Sequence, residues 1–174
     1  MKKVILLFII TLSFSTVFAQ SFGAVKGGHC YTLEVPNYME KTFTLNEDAT
    51  LQYQNTAKEA YVIVLDDDKD ELKEYGMKFV DAHDFLDFFT KDYKKDAKVR
   101  KLGKTSDFSA NGNKCAQVDF SWEEEDENGI FNGYMLITAV ETKGHFYKIL
   151  CWTVNTNKDL LKEDFKKISQ SLKD

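Results

Sequence analysis

Residues 113–154 read NKCAQVDFSWEEEDENGIFNGYMLITAVETKGHFYKILCWTV. Three runs rich in β-branched and aromatic residues (KCAQVDFSW, IFNGYMLITAV and HFYKILCWTV) follow one another with turn-forming segments between them, which is the pattern of an antiparallel meander. Upstream, residues 101–109 read as a weaker strand. It joins the first run through Asn111-Gly112, a dipeptide that accepts the positive backbone angles of a type I′ hairpin turn. The expectation is a four-strand meander, with a longer acidic loop at residues 124–129 and a tight turn at Thr142-Lys143-Gly144.

Helical periodicity flanks this sheet on both sides in sequence. Asp81 is a good N-cap, and Ala82, Phe85, Leu86, Phe89 and Tyr93 follow at spacings that build one apolar stripe. Val80 and Phe85 are placed as a hydrophobic staple. Lys91, Lys94, Lys95 and Lys98 crowd the last turns, where cations complement the helix dipole. After residue 154, Asn155-Thr156-Asn157 offers cap candidates, and Leu161, Phe165, Ile168 and Leu172 form the apolar face of a closing helix. Strands and helices that segregate in this way predict an α+β fold.

Nearer the N-terminus, Tyr31, Leu33 and Val35 alternate in a short strand that Pro36, the single proline, brings to an end. Residues 37–48 fit neither period and read as irregular. Two strands are expected at residues 50–54 and 59–65, and the acidic run Asp66-Asp67-Asp68-Lys69-Asp70-Glu71 is expected to break the second as a solvated turn. Leu72 and Tyr75 permit one helical turn, which Gly76 closes.

Residues 1–19 read as a signal peptide: Lys2 and Lys3 precede an apolar run over residues 4–18, with a small-residue cleavage site at Ala19. That run is shorter than the roughly 20 residues that span a bilayer. Cleavage leaves residues 20–174 as one domain, with a mobile Gly-rich leader and order from about residue 29. It also removes two of the 23 basic residues, so that 21 Lys and Arg face 28 Asp and Glu and the formal charge moves from −5 to −7. A secreted or periplasmic location follows, with no membrane insertion after cleavage. The acidic balance argues against nucleic acid as a partner.

Motifs for catalysis are absent. There is no G-x-S-x-G, H-E-x-x-H, C-x-x-C or phosphate-binding glycine loop. Asp66-x-Asp68-x-Asp70 begins like a calcium loop, but Glu71 stands where glycine is needed and Met77 where glutamate is needed. His29, His83 and His145 have no metal-ligand spacing. No catalytic, cofactor-binding or metal residue is therefore assigned, and no cofactor is expected. Three cysteines reach a compartment where disulfides persist. In a meander, Cys115 and Cys151 have a strand between them and stand too far apart to bridge. A bridge would use Cys30, with Cys151 or else Cys115, the alternative being three buried thiols.

The order of these elements, from YTLEVP through the aromatic helix and the meander ending FYKILCWT to the closing EDFKKISQSLK, resembles the PsbP-like (Mog/PsbP) superfamily over residues 31–173. The resemblance implies a single-domain α/β/α sandwich, an antiparallel meander covered by helices. Members include extrinsic photosystem subunits, Ran-binding nuclear proteins and secreted bacterial proteins, the last being the group this chain looks like. No functional residue carries over. The resulting expectation is a secreted, non-catalytic binding or accessory module of the cell envelope, whose partner is an unknown envelope protein or small ligand. The alternative is a small extracytoplasmic hydrolase whose carboxylate and histidine meet only in the fold, with residues 66–71 or 123–127 supplying the acid and base.

Overall fold

The structure, a computed structural model, describes residues 20–28, 31–127 and 129–174. Its strands are β1 (Phe22–Gly27), β2 (Tyr31–Pro36), β3 (Glu40–Lys41), β4 (Leu51–Asn55), β5 (Ala60–Asp68), β6 (Val99–Leu102), β7 (Ser106–Ala110), β8 (Asn113–Asp126), β9 (Gly129–Glu141) and β10 (His145–Val154). The helices are α1 (Lys69–Glu74), α2 (Ala82–Asp92) and α3 (Lys158–Gln170). Eight strands form one antiparallel sheet in the order β3-β4-β5-β10-β9-β8-β6, with β7 also on β8. The meander is present, although the strand expected over residues 101–109 is divided into β6 and β7, which pair with different parts of β8; Asn111 and Gly112 turn it with φ values of 52° and 83°.

The sheet separates two apolar layers. Strand residues alternate between faces, so Tyr134, Leu136 and Val140 of β9 join one layer with Leu161, Phe165 and Ile168 of α3. Met135, Ile137 and Ala139 join the other, with Phe85 and Leu86 of α2 and Leu72 of α1. Helices thus cover both faces of an antiparallel sheet in an α+β sandwich.

Several expectations need correction. Residues 22–27 form β1, paired along its whole length with β2, where a mobile leader was expected; Phe22 and Val25 pack on the core and hold it there. The β1–β2 hairpin does not extend the large sheet beside β10, because β5 occupies that position, with Cys151 opposite Val62. The hairpin lies instead over the α3-side layer. The acidic residues 66–68 continue β5 rather than break it, because β10 supplies side-chain partners: Lys148 lies 2.6 Å from Asp67, and His145 lies 2.8 Å from Asp66. Residues 124–126 likewise continue β8, with Lys94 2.7 Å from Glu124 and Lys98 2.9 Å from Glu125.

The staple on α2 is shifted by one residue. Val80 is exposed, and Phe79 meets Phe85 edge-to-face at 5.0 Å. Asp81 caps the helix from an extended conformation, accepting from the amides of His83 and Asp84. With the preceding residues on alternating sides of an extended chain, Phe79 turns inward and Val80 outward.

Candidate binding site

The short helix α1 organises the site. Asp68 caps it by accepting from the amides of Asp70 and Glu71, and these bonds hold the Asp68 carboxyl below its ordinary pKa. At its other end Gly76 takes φ 76°, its amide donates to the Lys73 carbonyl, and the amide of Met77 donates to the Leu72 carbonyl. This pair of bonds is a Schellman ending, which returns the chain toward the last turn. Met77 and Leu72 then line one hollow of about 370 Å³, floored further by Phe79 and Phe146. Phe146 is held by stacking on Phe85, with ring centroids 4.7 Å apart.

Lys69, Lys73 and Lys78 also line this hollow. Lys69 Nζ donates to Glu141 Oε1 at 2.9 Å and to the Thr142 carbonyl at 2.7 Å, and lies 4.5 Å from the Phe146 ring centre. Lys73 pairs with exposed Asp70 at 2.7 Å. Nearby in the chain, Tyr75 is 80% exposed, Val80 84% and Phe88 58%; Phe88 contacts Phe79, whose ring lies 5.1 Å away. The sequence singled out Leu72, Tyr75 and Gly76 as a helical turn but did not indicate the hollow, because its floor comes from Phe146, more than seventy residues away.

The histidines and carboxylates named as candidates do meet in the fold. His145 Nδ1 lies 2.8 Å from Asp66 Oδ1, and its Nε2 faces Asp68 Oδ2 at 4.0 Å. This pair borders a second hollow, of about 570 Å³, lined by Asn113, Thr142, Lys143, Gly144 and Asp174 among others. His83 Nδ1 lies 2.7 Å from Asp107 Oδ1, with Asp87 Oδ2 3.6 Å from Nε2. The hydrogen bond to Asp107, supported by the charges of Asp107, Asp87 and Asp81, raises the His83 pKa. A general base must turn an unprotonated nitrogen toward its substrate. In both histidines Nδ1 is within hydrogen-bond distance of a carboxylate on another element, while Nε2 lies 4.0 Å (His145) or 3.6 Å (His83) from a second carboxylate, so each ring ties two elements together. The 123–127 run meets lysines rather than a histidine.

Cys115 and Cys151 are buried free thiols on β8 and β10, with β9 between them. Burial raises both, that of Cys151 to about 12, so neither is a thiolate nucleophile near neutral pH. Cys30 and His29 lie outside the described residues, as does the signal-peptide segment 1–19. Among the described residues no three His, Cys, Asp or Glu side chains are placed to share a metal ion, and no helix is long and apolar enough to cross a membrane.

No family model and no curated protein matches the sequence. Solved structures do match its fold. The solution structure of cyanobacterial PsbP (CyanoP) from Synechocystis sp. PCC 6803 aligns with a TM-score of 0.62 at 14% identity, covering 92% of this chain and 96% of that one. LpqN, involved in cell envelope biogenesis of Mycobacterium tuberculosis, aligns at 0.52 and 10% identity over 87% and 89% of the two chains. A mutant of the protein Mog1 aligns at 0.50 and 9% identity over 88% and 95%. These three proteins share the fold of this chain.

Proposed function

We propose that this chain, a PsbP-like fold, is a non-catalytic binding or accessory module of the cell envelope, secreted or periplasmic after loss of residues 1–19. Its recognition surface is the hollow beside α1, which takes an apolar group of an envelope protein or a small ligand. The carrying observation is that Leu72, Met77, Phe79 and Phe146 floor an open hollow while Tyr75, Val80 and Phe88 stand exposed. The involvement of LpqN in cell envelope biogenesis supports the compartment, and the acidic balance supports a partner other than nucleic acid.

The test is capture from envelope extract by the wild-type chain and by Val80→Asp with Phe88→Asp, both changes being at exposed positions. Species retained by the wild type are expected to be lost from the variant while its melting temperature stays close to wild type. Equal retention by both overturns the assignment of the surface.

One observation favours a second reading, hydrolysis centred on His145 and Asp66 beside the 570 Å³ hollow. Turnover of ester, amide or glycoside substrates by the purified chain, abolished by Asp66→Asn, establishes that reading. Absence of turnover by the wild-type chain overturns it.

A further inference from the structure

We infer that the far end of the β8–β9 hairpin is an arm that seats in the α1 hollow of a second copy of this chain, an inference that rests on the hollow being the recognition surface. The pairing registers define the arm. On one side β10 pairs with β9 only as far as Gly133, and on the other β6 pairs with β8 only as far as Glu123. Beyond these points β8 and β9 continue as a two-stranded ribbon through Glu124↔Phe131, Glu125↔Ile130 and Asp126↔Gly129. A lone two-stranded ribbon is marginal in water and gains from being covered.

Its chemistry complements the hollow. Ile130 is 56% exposed and Phe131 41%, so the ribbon presents two large apolar groups. Residues 123–127 carry five consecutive acidic side chains. Among the described side chains, Lys94 and Lys98 engage Glu123, Glu124 and Glu125. The hollow has an apolar floor and three lysines in its lining, with no carboxylate among its lining residues. Lys69 is engaged by Glu141 and Lys73 by Asp70; Lys78 makes no ion pair among the described residues. An apolar, acidic ribbon and an apolar, lysine-lined hollow are matched in both properties.

The two surfaces cannot meet within one molecule. The arm lies at the Gly129 end of β9, whereas Lys69 of the hollow bonds Glu141 at the other end. Thirteen strand residues at about 3.4 Å each separate them by roughly 40 Å. Contact is therefore between copies, arm into hollow: two copies that exchange arms close as a dimer, and copies joined head to tail extend further, so in either case the mass grows with concentration.

Sedimentation velocity on the chain expressed with its own leader tests this, over roughly 10–500 µM, the range suited to an interface below standard size. The expected result is a mass that rises with concentration and falls when salt goes from about 0.02 to 0.5 M, because screening shortens the reach of surface charges. Ile130→Asp with Phe131→Asp removes the arm, and Lys73→Glu with Lys78→Glu removes the hollow. Each variant is expected to be monomeric with a melting curve close to wild type. An equimolar mixture of the two is expected to form dimers and stop there, since one supplies a working hollow and the other a working arm. A wild type monomeric throughout, self-association that survives either variant, or a mixture that stays monomeric each overturns the inference. A monomeric wild type that still loses its envelope partner through the hollow changes overturns the arm alone and leaves the hollow as the recognition surface.

Discussion

The chain holds two carboxylate-rich runs, residues 66–71 and 123–127, and the fold treats them differently. The first is drawn into the sheet: Asp66 and Asp67 pair with His145 and Lys148 of the neighbouring β10, and Asp68 caps α1. The Asp66 side chain is only 8% exposed. The second runs out of the sheet as a ribbon, and its cations, Lys94 and Lys98, follow α2 on the surface. The same residue type is a structural element where a strand lies alongside with a cation, and a presentation surface where none does.

If that contrast is right, substitutions near the first run are costly and those in the second are cheap. Phe146→Ala, which empties the stack beneath the hollow, is expected to destabilise by about 3–5 kcal/mol in denaturant unfolding, and Phe85→Ala by a similar amount. Phe131→Ala, at a half-exposed ring on the ribbon, is expected to cost less than a third of that; equal costs break the contrast. Asp66→Ala leaves His145 without its nearest carboxylate and is expected to cost about 3 kcal/mol, near the lower end for breaking a buried pair. A loss below about 1 kcal/mol, within the range of surface pairs, places Asp66 with the ribbon acids.

The effect of Asp68 is expected to be smaller and to depend on pH. Its folded pKa lies below the ordinary carboxylate value, so its stabilisation is fully present above about pH 4 and is lost as pH falls through the folded value. Wild type and Asp68→Ala should therefore differ in melting temperature at pH 6 and converge in strong acid. Curves that diverge on acidification contradict the capping role. His83 has the opposite sign: its raised pKa gives stability that is present below about pH 6.5 and is lost as pH rises through the folded value. His83→Gln should remove that small gain, and a pH profile unchanged by the substitution contradicts the ion pairs with Asp107 and Asp87.

The part of the fold that was legible in the sequence is the part whose causes are local. Asn111-Gly112 announces its own turn, Asp81 its own cap, and the 3.6-residue stripe of α2 its own face, with Ala82, Phe85 and Leu86 all buried. Closure by Gly76 was also visible, since the positive φ of a helix ending favours glycine. What was missed depends on distant partners. Nothing near Asp66 signals that His145 and Lys148 will lie alongside, so a strand was read as a solvated turn. Residues 21–28 look like a loose leader until Phe22 and Val25 find the layer under α3. Phe79 and Val80 differ only in which way an extended chain turns them. The hollow shares this cause, because it joins α1 to β10 across the longest gap in the sheet's sequence order. The pairings of His145 with Asp66 and of His83 with Asp107 likewise join residues far apart in sequence.

The central claim is that recognition takes place at the hollow beside α1. Hydrogen exchange on the purified chain, alone and with the envelope species it retains, tests it most directly. The account predicts slowed exchange over residues 70–80 and on the outer face of α2 around Phe88, with residues 142–145 unchanged. Protection confined to residues 142–145 and 113, around His145 and Asp66, with residues 70–80 exchanging as in the free chain, contradicts it.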